Sequence, residues 1–64
     1  MKLTRVDGTC NSGDCPTIYR TDRDTIAVQG RLVRDEADVV VPADEALAEI
    51  PVELLLEAAR VVGG

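Results

Sequence analysis

The near absence of aromatic side chains is the feature that most constrains how this chain can fold. Tyr19 is its only aromatic residue, and the sequence of 64 residues contains no Phe, Trp or His. A core must therefore be built from Val, Leu, Ile and Ala, which fill space in small pieces. A chain of this length buries only about 60% of the surface that it exposes when unfolded. We therefore expect one small domain over residues 1–64 that gains stability from a metal, a disulfide or a second subunit.

The charge distribution disfavours two classes of partner. The chain carries 12 acidic and 7 basic residues, for a formal net charge of −5, and the basic residues are scattered without a cluster. Nucleic-acid binding needs a concentrated basic surface and aromatic side chains for base stacking, so we expect no direct nucleic-acid contact. The same charge disfavours an anionic membrane surface, and no run approaches the ~20 apolar residues of a spanning helix. The first residues lack the apolar region of a signal peptide, which predicts a cytoplasmic protein.

The N-terminal half predicts an antiparallel hairpin preceded by a short edge strand at Leu3–Val6. Thr17–Thr21 is β-branched and aromatic, as is typical of strands. Asp22–Asp24 forms a polar turn, and Thr25–Val33 alternates between apolar and polar residues. Two strands across a three-residue polar turn favour a hairpin. Gly30 inside the second strand indicates a bulge or a close backbone approach.

The C-terminal half predicts two short strands and a final helix. The first strand is Val39–Val41. Residues 46–50 could instead belong to a helix that starts at Asp44, but a strand is favoured because Pro51 would disrupt a helix running through it. Pro51 suits the first position of a helix, and we expect that helix to run from residue 51 or 52 to residue 62, before two terminal glycines.

The predicted helix has more apolar surface than one sheet can cover. At about 100° per residue, its charged residues Glu53, Glu57 and Arg60 occupy one narrow arc, and apolar residues fill roughly 220°. A helix that lies on one sheet needs an apolar stripe only a little wider than about 100°. We therefore predict an α+β fold, with the C-terminal helix packed on an antiparallel sheet of three or four strands. The flanks of the helix, above all Leu54 and Val61, remain for loops of the same chain, a second subunit or a protein partner.

Cys10 and Cys15 are the candidate metal or redox residues. They lie in the loop Gly8–Pro16, which is rich in turn-forming residues. Three alternatives stay open: free thiols, half of a zinc site completed by Asp14 or by a second copy, and a hairpin disulfide. Cytoplasmic cysteines are more often thiols or metal ligands than stable disulfides. The spacing is not Cys-x-x-Cys, which weakens a catalytic redox interpretation. Zinc is the one cofactor that the sequence suggests.

No residue pattern marks a catalytic site. Without His, acid–base chemistry would depend on a perturbed carboxylate or thiol, and hydroxyl residues lack an activating base. Asp22 and Asp24 are interpreted as turn acids, because the regular ligand series of a calcium loop is absent. Glu53 and Glu57 lie on the charged face of the helix. We therefore predict that the protein is not an enzyme.

The stretch from Cys10 to Gly30 resembles small proteins of actinobacteria. In these, a Cys-containing loop leads into Pro-Thr-hydrophobic-Tyr, then Thr-Asp-Arg, and then a strand that ends in Val-Gln-Gly. The corresponding residues here are Pro16–Tyr19, Thr21–Arg23 and Val28–Gly30. Residues 45–60 also fit the acidic turn, short strand, proline and Leu/Ala-rich helix of these proteins. The size and the order of elements are similar to those of BldB-like small regulatory proteins, which are encoded beside helix-turn-helix regulators and act by protein–protein contact.

The resemblance implies a small accessory protein, and a homodimer, that binds a helix-turn-helix transcriptional regulator. The candidate partner-binding residues are Tyr19 and Arg20 on the hairpin and Leu54 and Val61 on the helix. The predicted function is therefore a protein-interaction module. The alternative is a metal-binding or thiol-based sensor that uses the two cysteines.

Overall fold

The computed structural model describes residues 1–11 and 13–63, which form five short strands and one helix. The elements are β1 (Leu3–Gly8), β2 (Thr17–Thr21), β3 (Ile26–Gln29), β4 (Arg31–Val33), β5 (Leu47–Glu49) and α1 (Val52–Gly63). Strands β1, β2 and β3 form one antiparallel sheet in that order, and β4 and β5 form a second. Helix α1 packs on β1 and β2 of the first sheet. The predicted α+β class is confirmed, although the strands divide into two sheets where one was expected.

The predicted hairpin joins β2 to β3. The backbone N–H of Thr21 donates to the carbonyl of Thr25 at 3.0 Å, which closes the turn. Inside the turn the Oγ1 of Thr21 accepts hydrogen bonds from the backbone N–H groups of Arg23 and Thr25, at 3.0 and 3.3 Å. Asp24 adopts a left-handed conformation with φ of 61°, which Asp and Asn tolerate better than other side chains because they can bond locally.

The predicted strand Thr25–Val33 is two strands in two different sheets, separated at Gly30. A Cβ atom at Gly30 would collide with the carbonyl oxygen of Glu49 and would lie 2.9 Å from Cγ2 of Ile50. Only glycine fits this close approach, so the prediction of a special backbone position at Gly30 is confirmed. The chain changes sheets here, and the single long strand that the alternating pattern predicted is wrong.

The strand predicted at Val39–Val41 is also wrong. These residues lie in the loop between β4 and β5, and the side chain of Val40 is 98% exposed. Strand β4 pairs instead with β5, from Arg31 opposite Glu49 to Val33 opposite Leu47. Three β-branched residues in a row favour a strand, but without a pairing partner their propensity alone is insufficient. The strand favoured at residues 46–50 is confirmed as β5, and so is the final helix.

The core under α1 is small. Only Ile18 of β2 and Leu54 and Ala58 of α1 are buried hydrophobic residues among those that the structure describes, with Val6 and Ile50 packed against them. A core of this size fits the expectation from composition that the chain fills space in small pieces. Much of the remaining aliphatic surface is left exposed.

An exposed ion-pair network lies on the surface of the second sheet. Arg31 pairs with Glu49 through Nε and with Glu36 through Nη2, the latter at 3.2 Å. The hydrogen bond to Glu49 and the negative charges of both carboxylates raise the pKa of Arg31. Because all three side chains are more than half exposed, the network contributes little to stability.

Candidate functional site

A wholly apolar groove runs between helix α1 and edge strand β3. It arises because α1 packs over β1 and β2 and leaves β3 uncovered on the same side of the sheet. The groove has a volume of about 190 Å³. Its lining consists only of aliphatic side chains, namely Ile18, Ile26, Val28, Ile50, Leu55, Ala58, Ala59 and Val62.

Strand β3 supplies one wall of the apolar groove. Val28 lies directly opposite Ile18 in the sheet, so its side chain shares the face on which the core lies. Ile26 is two residues away and therefore lies on the same face. Both side chains are 46% exposed, although a strand face beside a helix is normally covered.

Helix α1 supplies the other wall. Leu54 and Ala58 point into the core, whereas Leu55, Ala59 and Val62 lie about 100° further round the helix, on the side of β3. Leu55 is 56% exposed, and the apolar surface continues to Val52 and Leu56. The charged residues of α1 lie on the opposite side, where Arg60 donates to Glu57 at 3.2 Å. No residue that lines the groove carries a charge, among those that the structure describes.

The two predicted partner-binding residues of the helix have different outcomes. Leu54 is only 4% exposed and belongs to the core, so the prediction that it lies on an uncovered flank is wrong. The physical reason is that Ile18 and Ile50 pack against the arc of the helix on which Leu54 lies. Val61 is 59% exposed, as a flank residue should be, but it does not line the apolar groove. Its role in partner binding stays a prediction.

The two predicted residues of the hairpin point to opposite faces of the sheet. Tyr19 is half-buried, and its hydroxyl donates to Oε1 of Gln29 at 3.2 Å. Arg20 is exposed and lies opposite Ile26, on the face that carries the groove, where both line a neighbouring depression with Val62. The structure therefore brings Arg20, but not Tyr19, close to the apolar groove.

Cys10 and Cys15 form a disulfide, with their Cα atoms 5.9 Å apart. Of the three alternatives left open by the sequence, the structure has this one. In this disulfide form the two sulfur atoms are bonded to each other, and zinc binding by the reduced cysteines stays a prediction. Within residues 1–11 and 13–63, no group of three or more His, Cys, Asp or Glu side chains is arranged to hold a metal ion.

Polar contacts tie the disulfide loop to the sheet. Arg5 donates to the carbonyl of Cys10 at 3.0 Å, and Thr17 donates through its hydroxyl to the carbonyl of Cys15 at 2.7 Å. The amide Nε2 of Gln29 on β3 donates to the carbonyls of Gly13 and Cys15, at 2.6 and 3.1 Å. The loop is thereby connected to the strand that forms one wall of the groove.

The groove residues Ile26, Val28, Leu55, Ala59 and Val62 were not identified as site residues from the sequence. The signal that could have found them is the excess width of the apolar arc of α1, taken together with the apolar face of the hairpin. No protein-family model, curated protein or solved structure matches this chain. No helix among the described residues is long and apolar enough to cross a membrane.

Proposed function

We propose that this chain is a small protein-interaction module that works by protein–protein contact through the apolar groove. The observation that supports the proposal is the groove itself, an uncharged surface formed by half-exposed Ile, Val and Leu side chains of β3 and α1. Contiguous apolar surface that is left open in a small domain is typical of a contact site for another protein. Catalysis is not part of the proposal, because the groove offers no nucleophile, acid or base.

The partner class that we propose is a helix-turn-helix transcriptional regulator, to which this chain would be an accessory protein in the cytoplasm. This part of the proposal comes from the resemblance to small actinobacterial proteins. The net charge of −5 and the lack of a basic surface support contact with the regulator protein rather than with its DNA.

The test is affinity capture with the tagged chain from extracts of the cells that produce it, with two variants compared. Leu55→Glu places a charge in the groove, and Val39→Glu places the same charge at an equally exposed position outside it. We expect the wild type and Val39→Glu to recover a helix-turn-helix regulator and Leu55→Glu to lose it. Recovery of the regulator by Leu55→Glu at the wild-type level would contradict the proposal.

The second candidate function, a thiol-based sensor, is supported by the link from the disulfide to β3. A dithiol reductant would open the Cys10–Cys15 bond to two thiols and become a disulfide itself. Gln29 would then hold a loop that is no longer closed, which would alter the wall of the groove. A change in regulator capture after reduction of the wild type, absent in the double variant Cys10→Ser/Cys15→Ser, would support this function. Equal capture by the oxidised and reduced protein would contradict it.

A further inference from the structure

The exposed side chains of α1 follow the spacing of a helix-pairing seam. Val52, Leu55, Ala59 and Val62 are separated by three, four and three residues, which places them on one stripe of the helix. All four are exposed, although an apolar stripe at this spacing normally packs against the core or another helix. Three of them, Leu55, Ala59 and Val62, line the apolar groove, so a helix that paired with this seam would lie over β3.

We propose that the apolar groove receives helix α1 of a second copy of this chain, giving a symmetric dimer. The inference rests on the proposed function and concerns the same site, so a second copy and the regulator would compete for the groove. A second copy supplies a helix with a matching seam, and each copy seats its helix in the groove of the other. Among parallel coiled coils, β-branched Val at the first position of the seam and Leu at the second are typical of pairs rather than larger bundles.

The position of the groove determines the arrangement of the dimer. Strand β3 forms one wall of the groove, so the seated helix must carry its own sheet on its other side. The two sheets therefore enclose a central layer of two helices, about 8 to 10 Å apart. We take the helices as parallel, so that the two-fold axis runs along them and Leu55 meets Leu55 of the second copy.

This arrangement accounts for the wide apolar arc of α1. Leu54 and Ala58 face the helix's own sheet, and Leu55 and Ala59 face the partner helix. The next part of the arc, at Leu56, faces the Ile26 and Val28 side chains of the partner. The charged stripe of α1 points away from all three contacts and stays in water.

The exposed apolar area indicates a weak dimer. The six aliphatic side chains concerned are 39% to 67% exposed. At roughly 80 Å² for each half-exposed side chain, they present on the order of 500 Å² per copy, or about 1,000 Å² in the dimer. This is the lower limit of a specific interface, which is typical of weak association, so the test covers dissociation constants from about 1 to 100 μM. From the most to the least exposed, the six side chains are Val52, Leu56, Leu55, Ile26, Val28 and Val62.

Salt distinguishes a second copy from a basic partner. Two copies each carry a formal charge of −5, and none of it lies in the groove lining, so long-range repulsion opposes their association. Salt screens this repulsion, and dimerisation should therefore strengthen between about 50 and 500 mM salt. A basic peptide that bound the acidic chain would instead be released over that range.

The test is sedimentation velocity of the purified, disulfide-bonded chain from about 1 to 500 μM. We expect a concentration-dependent dimer that Leu55→Glu weakens about 100-fold, because the seam offers no partner for a buried charge. Val39→Glu, at matched exposure outside the groove, should change the dissociation constant less than about two-fold. Far-UV circular dichroism of each variant checks that the helix is retained.

A charge-swap experiment tests the parallel alignment. In a parallel pair, two copies of Leu55→Glu repel each other at residue 55, and so do two copies of Leu55→Lys. A mixture of the two variants should associate at close to the wild-type strength. An antiparallel pair would bring residue 55 against residue 59 of the partner, and the mixture would not be restored. Restoration supports the proposed dimer, and a mixture that stays monomeric overturns it.

The remaining outcomes separate this proposal from the proposed function. A wild type that is monomeric at every concentration, with regulator capture that still depends on Leu55, overturns the second copy as occupant and leaves the proposed function intact. A dimer that is insensitive to Leu55→Glu overturns the groove as the dimer contact. If neither self-association nor regulator capture depends on Leu55, the proposed function is overturned as well.

Discussion

Truncation of Leu54 tests the placement of α1 on the sheet. Leu54 is 4% exposed and is one of three buried hydrophobic residues in the described core. Leu→Ala substitutions in cores cost about 2 to 5 kcal/mol, depending on how far the neighbours collapse into the cavity. Val6 and Ile50 border Leu54 and are only partly buried, so they can relax, and we expect Leu54→Ala to cost about 2 to 3 kcal/mol.

That loss is large for this chain. A domain of 64 residues is stabilised by roughly 3 to 10 kcal/mol. In such a domain each 1 kcal/mol lowers the melting temperature by about 4 to 8 °C, so Leu54→Ala should lower it by roughly 8 to 24 °C. The measurement is thermal and urea unfolding followed by circular dichroism, with protein dilute enough to be monomeric.

Val61→Ala is the matched control, because Val61 lies on the same helix and is 59% exposed. We expect it to change the free energy of unfolding by no more than about 0.5 kcal/mol. Equal effects of Leu54→Ala and Val61→Ala would refute the rotation of α1 described above. Such a result would mean that the helix buries a different face.

Three further predictions concern the backbone and the cysteines. Gly30→Ala should lower the free energy of unfolding by about 1 to 3 kcal/mol, because its Cβ would meet the carbonyl of Glu49. Gly13→Ala, with nothing within 4 Å of its Cβ, should leave that free energy nearly unchanged; urea titration measures both variants. The double variant Cys10→Ser/Cys15→Ser should have a free energy of unfolding about 2 kcal/mol lower, which is the loop-closure contribution of a disulfide between residues five apart. An unfolding midpoint in urea equal to that of the wild type would contradict this. Native mass spectrometry of protein purified without reductant should give a mass lower than the free-thiol chain by two hydrogen atoms, without zinc; a zinc-bound dimer of full mass would contradict it.

The elements with strong local signals could be predicted from the sequence. The hairpin was predicted because Asp22–Asp24 lies between two β-branched segments, and the helix because Pro51 and the terminal glycines bound an apolar run. These signals depend on residues close together in the chain. They require no knowledge of what each segment pairs with.

The errors occurred where pairing between distant residues decides the structure. Thr25–Val33 reads as one alternating strand, but β4 leaves the first sheet because it pairs with β5, which lies beyond the loop at residues 34–46. Val39–Val41 has high strand propensity but pairs with none of the strands in the described part of the chain. The disulfide likewise depends on how the loop returns, since its spacing is compatible with free thiols and with metal binding.

The candidate site was half predictable for a related reason. The sequence shows that α1 has more apolar surface than one sheet covers, and the structure leaves that surplus exposed. Composition and periodicity could not decide the rotation of the helix. Its apolar arc is roughly 220° wide, so more than one face of the helix could pack against the core. For this reason the sequence prediction placed Leu54 on the open flank.

The rotation of α1 is set by its contacts with the core. Ile50, just after β5, packs against the core, and Pro51 follows it, its carbonyl accepting from the N–H of Leu54 at 3.1 Å. Within α1, residues four apart share a face, so Leu54 and Ala58 form the buried stripe beside Ile18. With that stripe against the sheet, Leu55, Ala59 and Val62 are left to line the groove. Ile50 packs against the core and also lines the groove, so replacing it should disturb both.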